Sequence, residues 1–384
     1  MQKITYLDGL RGVAAFAVLI QHYILGFYPA LFFGVNATPH LPEGVEIFAS
    51  GSVLNLFYNG NFAVCIFFVL SGFVLSYKFF VQQDGEGLRA SAIKRYFRLA
   101  GPVVAVVLTA YILMKFSLFY NVQAGDLAQS GWLGQFWTFP PNFLEAMNQA
   151  FVGTFLTGAF NYDNVIWTIS YEFQGAFLIL GFLALFGKMK YRHWFYLAAG
   201  LVLFQTYYLA FILGMFLSDL KVNHDMVLSK FDSKKILRIM LLLAGLVFGA
   251  FPSGRSVDGS MYAYLHFMDH DLLPMWYHIV GAFMVMLVLL DSYRIQKILS
   301  WKPFLQLGKI SFSMYLFHFV ILGSFSSFIF LKLYHALSYP LSVLLTFALS
   351  LPLIFFVGWA SQAYIEKGCL NLSQWVYAKV FEQA

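Results

Sequence analysis

Charge is what this chain has least of. Asp, Glu, Lys and Arg make up 11% of its 384 residues, against about 25% in an ordinary soluble protein. Hydrophobic residues make up 60%, and the mean hydropathy is +0.72. That balance excludes a water-soluble domain of this length and points to a polytopic membrane protein. Cysteine is also scarce. Cys65 lies in an apolar run and Cys369 near the C-terminus, so no disulfide framework is available and both read as free thiols. The patterns G-x-S-x-G, H-E-x-x-H, C-x-x-C and the P-loop are all missing, which removes the serine-hydrolase, zinc-peptidase, redox and nucleotide-hydrolase signatures. Lys and Arg are missing from two long stretches, 31–59 and 120–164.

What is present are apolar segments of spanning or near-spanning length. They fall near 10–30, 60–80, 99–119, 165–187, 193–205, 206–220, 236–252, 274–291, 311–333 and 339–364. The first carries its own polar residues and reads as an uncleaved helix rather than a signal peptide. Residues 193–220 form either one long helix or a hairpin of two short ones. Charge decides. With a hairpin, every Lys and Arg except Lys115, Arg255 and Lys332 falls on one side, which the positive-inside rule makes cytoplasmic. That side includes Lys3 and Lys230. The expected fold is therefore an all-α bundle of ten transmembrane helices, one domain over residues 1–384, with both termini cytoplasmic. The stretch 120–164, rich in Phe, Trp, Gly and Asn, is expected outside, partly re-entrant or interfacial. No internal repeat is seen.

Four groups of residues stand out within this apolar background. Arg11 and His22 are eleven residues apart on the first helix, and eleven steps of about 100° return to nearly the same face, about 16 Å along the axis. Asp8 lies one turn before Arg11. Ionisable groups at membrane depth are costly and point to function, and His is the side chain suited to general-base work near neutral pH. Arg95 and Arg98 share a face at the expected cytoplasmic start of the third helix, where bidentate guanidinium pairing would hold phosphate groups, helped by the helix N-terminus. Coenzyme A thioesters are donors of that kind. Glu172, in Trp167-Thr168-Ile169-Ser170-Tyr171-Glu172, could orient an imidazole or a substrate hydroxyl. Ser311, Tyr315 and His318 form one stripe at spacings of four and three. The loop 253–271 holds Asp258, His266, Asp269, His270 and Asp271, but its spacing fits no metal site, and no metal is expected.

Taken together, these residues resemble the acyltransferase-3 family of integral membrane acyltransferases. Tyr6-Leu7-Asp8-Gly9-Leu10-Arg11-Gly12 through His22 is similar to its first-helix signature. Phe67-Phe68-Val69-Leu70-Ser71-Gly72-Phe73 is similar to its second-helix segment. Arg95-x-x-Arg98 with Pro102 resembles its arginine motif, and Trp167–Glu172 and Ser311–His318 resemble two later motifs. The resemblance implies transfer of an acyl group, most commonly acetyl, from cytosolic acetyl-CoA to a hydroxyl of a glycan or lipid-linked glycan. It implies that His22 and Arg11 are essential and that Arg95 and Arg98 serve the donor; Glu172 and Asp8 are expected to complete the catalytic set, and Arg11 and Ser71 the donor contacts. His22 would act as general base, with a covalent acyl-His22 as the alternative. It implies residence in a membrane, by family habit a bacterial inner membrane, with lipids as neighbours and no nucleic-acid partner. The C-terminal hydrolase-like domain of some relatives is not expected here. On bare physics a proton-coupled transporter of a small polar or acylated metabolite would use the same intramembrane His, Arg and Asp. The lack of an inverted repeat and of paired broken helices stands against it.

Overall fold

The computed structural model describes residues 4–224, 234–267 and 271–379. Among these the regular structure is entirely helical. The sequence landmarks Lys3, Lys230, Asp269 and His270 lie outside the described residues.

All ten apolar segments are helices: α1 (Thr5–Phe27), α2 (Gly60–Gln82), α3 (Glu86–Lys115), α4 (Trp167–Phe186), α5 (Arg192–Leu203), α6 (Tyr208–Asn223), α7 (Lys235–Gly249), α8 (Leu273–Leu289), α9 (Lys302–Ile321) and α10 (Tyr339–Ser361). Among the described residues six helical stretches are long and apolar enough to cross a membrane, and α8 with Tyr293–Leu299, bent by 101°, makes a seventh if the pair counts as one. The helices α5 and α6 have 12 and 16 residues, short of the roughly 20 a full crossing needs.

The hairpin is real as a fold. Arg192, at the start of α5, forms a bidentate pair with Asp219, near the end of α6, through Nε–Oδ2 at 2.5 Å and Nη2–Oδ1 at 2.6 Å. The Tyr196 hydroxyl adds a third bond to the same carboxylate at 3.1 Å. One long helix could not bring residues 27 apart into contact. The third helix begins earlier than its hydropathy suggests. Glu86–Arg98 is charged but continues the α-helix without a break, because Lys, Arg, Glu and Ala are good helix formers. Arg95 and Arg98 therefore lie inside α3, more than two turns from its start, and the helix-terminus contribution to anion binding is overturned. Pro102 follows one turn later, and having no N–H it leaves the Arg98 carbonyl without its helical partner.

Helix contacts at the core are made by glycine, as is common where backbones must approach in lipid. At Gly308 of α9 a Cβ would stand 2.0 Å from the Asp8 carbonyl oxygen of α1, and at Gly12 a Cβ would stand 2.5 Å from the Gly308 nitrogen. Gly214 of α6 meets the Val69 carbonyl of α2 in the same way, at 1.9 Å. These contacts draw α1 against α9 and set Asp8, Arg11 and the α9 stripe side by side. Gly308→Ala should therefore force α1 and α9 apart and destabilise by about 1–3 kcal/mol, the usual cost of overpacking. Gly181 has open space at its Cβ position, so Gly181→Ala is the control. Equal thermal midpoints for the two variants would refute the close-packing argument.

The stretch 120–164 packs onto the bundle through short helices and buried anchors. Ser130 Oγ donates to the Leu25 carbonyl at 2.6 Å, and the Trp137 indole N–H donates to the Tyr162 carbonyl at 2.9 Å. Leu133 and Tyr162 are buried. At the far end of α9 a π-helical turn, Leu322–Ser326, directs the Ser326 hydroxyl to that of Tyr23 on α1, 2.7 Å away.

Candidate active site

Two neighbouring arrangements dominate the interior: a cavity of cations and a buried pair of histidines. The cavity has a volume of about 550 Å³, lined by α1, α2, α3, α4, α9 and the C-terminal extension of α10, in the range typical of ligand pockets. Arg11, Arg95, Arg98 and Lys309 converge on it, with Asp8, Glu172 and Glu366.

Most of these charges are already committed to one another. Arg11 pairs with Asp8 of the same helix at 3.5 Å, as the one-turn spacing requires. Arg95 is buried and makes a close ion pair with Glu172. Ser71 Oγ donates to the same Glu172 oxygen at 2.7 Å. Glu172 thus serves Arg95 and Ser71, not an imidazole. Glu366 accepts from Ser313 Oγ at 2.5 Å. Two donors remain. Arg95 Nε is buried with no partner, and Arg98 is exposed and makes no hydrogen bond or ion pair among the described residues. A cavity in which four cations face three carboxylates, with Arg98 and Lys309 outside any ion pair among the described residues, is suited to an anion.

His22 does not line this cavity. It sits three turns further along α1, with Nδ1 2.7 Å from Nε2 of His318 on α9 and the two rings nearly parallel. The pairing decides the tautomers. His318 Nδ1 faces the Tyr315 carbonyl at 2.6 Å and the Met314 carbonyl at 3.2 Å. Carbonyls only accept, so that nitrogen carries the proton and His318 Nε2 is an acceptor. His22 Nδ1 must then be the N–H, which leaves the lone pair on His22 Nε2. Among the described residues Nε2 has no protein partner and is not one of the sealed, unpartnered buried atoms. It is an accessible, unprotonated base whose orientation is set by a second histidine, the arrangement general-base catalysis requires.

Tyr315 joins the two arrangements. It lines the cavity, its ring centroid is 5.9 Å from that of His318, and its hydroxyl reaches Thr168 Oγ1 at 2.9 Å. The Ser311–Tyr315–His318 stripe therefore runs from the cavity to the histidine pair.

Residues 4–359 match the family described as "Acyltransferase domain". The chain belongs to the acyltransferase-3 family. Its helices carry an O-acyltransferase. Among similar curated proteins, the O-acetyltransferase PaAT-1 of Phomopsis amygdali is 26% identical over 373 residues, covering 83% of this chain and 72% of that protein. Acyltransferase R4 of Phoma sp. (strain ATCC 20986 / MF5453) is 21% identical and acyltransferase clz18 of Cochliobolus lunatus 22%, each alignment covering 83% of both proteins. These relatives are fungal, so the expected bacterial inner membrane has no support from them. No solved structure matches.

The sequence reading left out two buried groups of this acyltransferase. Asp163 is fully buried just before α4, with Oδ1 accepting from the Val165 N–H at 3.4 Å and Oδ2 unpartnered. Burial pushes its carboxyl well above the ordinary carboxylate range, against that single hydrogen bond. His278 on α8 is fully buried between Asn59, Asn61 and the Phe251 carbonyl. Its nitrogens are all engaged, so it ties α8 to the start of α2 and has no free lone pair for chemistry. Among the described residues no cluster of His, Cys, Asp or Glu could hold a metal.

Proposed function

We propose that this enzyme moves an acetyl group from acetyl-CoA to a hydroxyl of a carbohydrate or similar acceptor, with His22 as general base. The observation that carries this reading is the free Nε2 lone pair of His22, presented by His318. The cationic cavity supplies the donor site: Arg98 and Arg95 Nε hold its phosphate groups, with Ser71 and Glu172 keeping Arg95 in place. Arg11, held by Asp8, adds positive charge on the way to His22. The cavity end of the bundle is cytoplasmic in this reading, following the positive-inside rule.

The step is an acyl exchange. His22 Nε2 takes the proton of the acceptor hydroxyl as its oxygen bonds to the thioester carbonyl carbon. The tetrahedral intermediate collapses, the C–S bond breaks, and the leaving thiolate recovers the proton from His22. His318 accepts the Nδ1 hydrogen bond throughout and steadies the imidazolium formed in between.

Purified protein in detergent, given acetyl-CoA and a hydroxyl acceptor, is expected to yield the acetyl ester and free coenzyme A with no ion gradient present. Turnover that appears only in sealed vesicles under a proton gradient would favour the transporter reading instead.

A further inference from the structure

The base has no anion beside it. When His22 Nε2 takes a proton, the ring becomes an imidazolium inside the bundle, and burying such a charge without a partner is costly. Among the described residues no carboxylate hydrogen-bonds to His22 or His318. Asp8 and Arg11 form their own pair three turns away, and Glu172 is held by Arg95 and Ser71. The charge must be met by something neutral.

His318 meets only an edge of the ring. The centroids of the two imidazoles are 5.0 Å apart and their planes within 8°, so the 2.7 Å hydrogen bond joins them edge to edge. The face of His22 belongs to Trp132, whose ring stacks on it with centroids 5.4 Å apart and planes inclined by 22°. Indole has the best aromatic face for a cation, and a cation within about 6 Å of its centroid is attracted to it, more strongly away from water.

Trp132 is fixed in that position. Its ring packs at steep angles against Phe136 and Phe319, with centroids 5.2 and 5.7 Å away. Its backbone is tied to α1 one turn beyond His22, where Ser130 Oγ donates to the Leu25 carbonyl and Leu133 packs against Gly26. Asn121 Nδ2 donates to the carbonyls of Leu133 and Phe136 at 2.9 and 2.8 Å. Trp137 fits over Gly323 in the π-helical turn of α9, where a Cβ would stand 2.2 Å from the indole. The stretch 120–164 therefore grips both helices that carry the histidines.

We infer that Trp132 is a positioning residue for the base: its face fixes the plane of the His22 ring and stabilises the positive charge that the ring carries between its two proton transfers. The inference rests on His22 as general base, and it gives the stretch 120–164 a part in the chemistry.

Tryptophans carrying one to four ring fluorines, placed at position 132 by nonsense suppression, keep the shape of the indole and withdraw electron density from its face step by step. Diethyl pyrocarbonate reads His22 directly, because attack by Nε2 puts positive charge on the ring as proton uptake does. With the protein in detergent and modified peptides quantified by mass spectrometry, the rate at His22 should fall with each fluorine, by about tenfold over the series. The exposed His335 should react at a constant rate. Acetyl transfer from acetyl-CoA to glycerol, a minimal hydroxyl acceptor, should fall in the same order, in kcat and not in KM for acetyl-CoA. Trp132→Phe should fall within the series and Trp132→Leu at or below its end. A flat rate at His22 across the series overturns the inference and leaves Trp132 a packing residue. A graded rate at His22 with flat acetyl transfer supports the Trp132 contact and instead removes His22 as the base, so the two readings fail separately.

Discussion

His22→Ala should lose about 10²–10⁴-fold in kcat, the range general-base catalysis supplies, while still inserting and still binding coenzyme A. The reason is positional. Arg98 and Arg95 face the donor cavity and His22 does not, so the base can be removed without touching the donor's charge contacts. The partner histidine gives the comparison. In His318→Ala the imidazole at position 22 loses the acceptor for its Nδ1 hydrogen, and both tautomers become available. Its kcat should fall less than in His22→Ala, and its pH–rate profile should shift, since the base is still present but no longer held in one protonation state. A simple packing role for His318 would lower stability and leave the profile where it was. Near-normal turnover by His22→Ala would remove it from the mechanism.

Arg98→Ala should raise the Kd for coenzyme A by about ten- to a hundredfold, the loss of one charge-assisted contact worth about 1.5–3 kcal/mol. At saturating donor, kcat should stay close to that of the parent enzyme. Arg98 is the informative choice because it is exposed and has no protein partner to leave behind. Arg95→Ala is a different experiment. It strands the Glu172 carboxylate beside Ser71 in a largely buried setting, and breaking such a pair costs about 3–5 kcal/mol of stability. Titration calorimetry with coenzyme A separates the two variants, since the first should show weakened binding at a normal thermal midpoint. Unchanged affinity in Arg98→Ala would discard the phosphate clamp.

Much of this protein was legible residue by residue. Hydrophobic runs located all ten helices, because apolar length is a local property of the chain. The charge distribution demanded a hairpin at 193–220, and Arg192 with Asp219 closes it. Hydropathy failed at the edges of helices. It missed Glu86–Arg98 as part of α3, since a charged segment can be as good a helix former as an apolar one. It says less about α5, α6 and α7, which have the composition of a crossing but only 12, 16 and 15 described helical residues.

Partners were the harder problem. Asp8 with Arg11 followed from one-turn spacing on a single helix. Glu172 with Arg95, 77 residues apart, did not. The sequence suggested an imidazole or a substrate hydroxyl for Glu172, and the fold sets its carboxylate against the Arg95 guanidinium and the Ser71 hydroxyl. His318 was visible only as the end of a polar stripe, and nothing local could say that it would meet His22, 296 residues away.

By itself the sequence determined that this is a helical membrane protein, that Asp8 lies one turn from Arg11, and that Arg11, His22, Arg95 and Arg98 form a set resembling the acyltransferase-3 signature, since composition, helical period and motif order are local. Only the tertiary structure decided which nitrogen of His22 is free, which arginine of the cavity remains unpaired, and that Tyr315 connects that cavity to the histidine pair. Those outcomes depend on glycine-mediated approach of α1 to α9 and on hydrogen bonds between residues far apart in the chain, and no local pattern carries them.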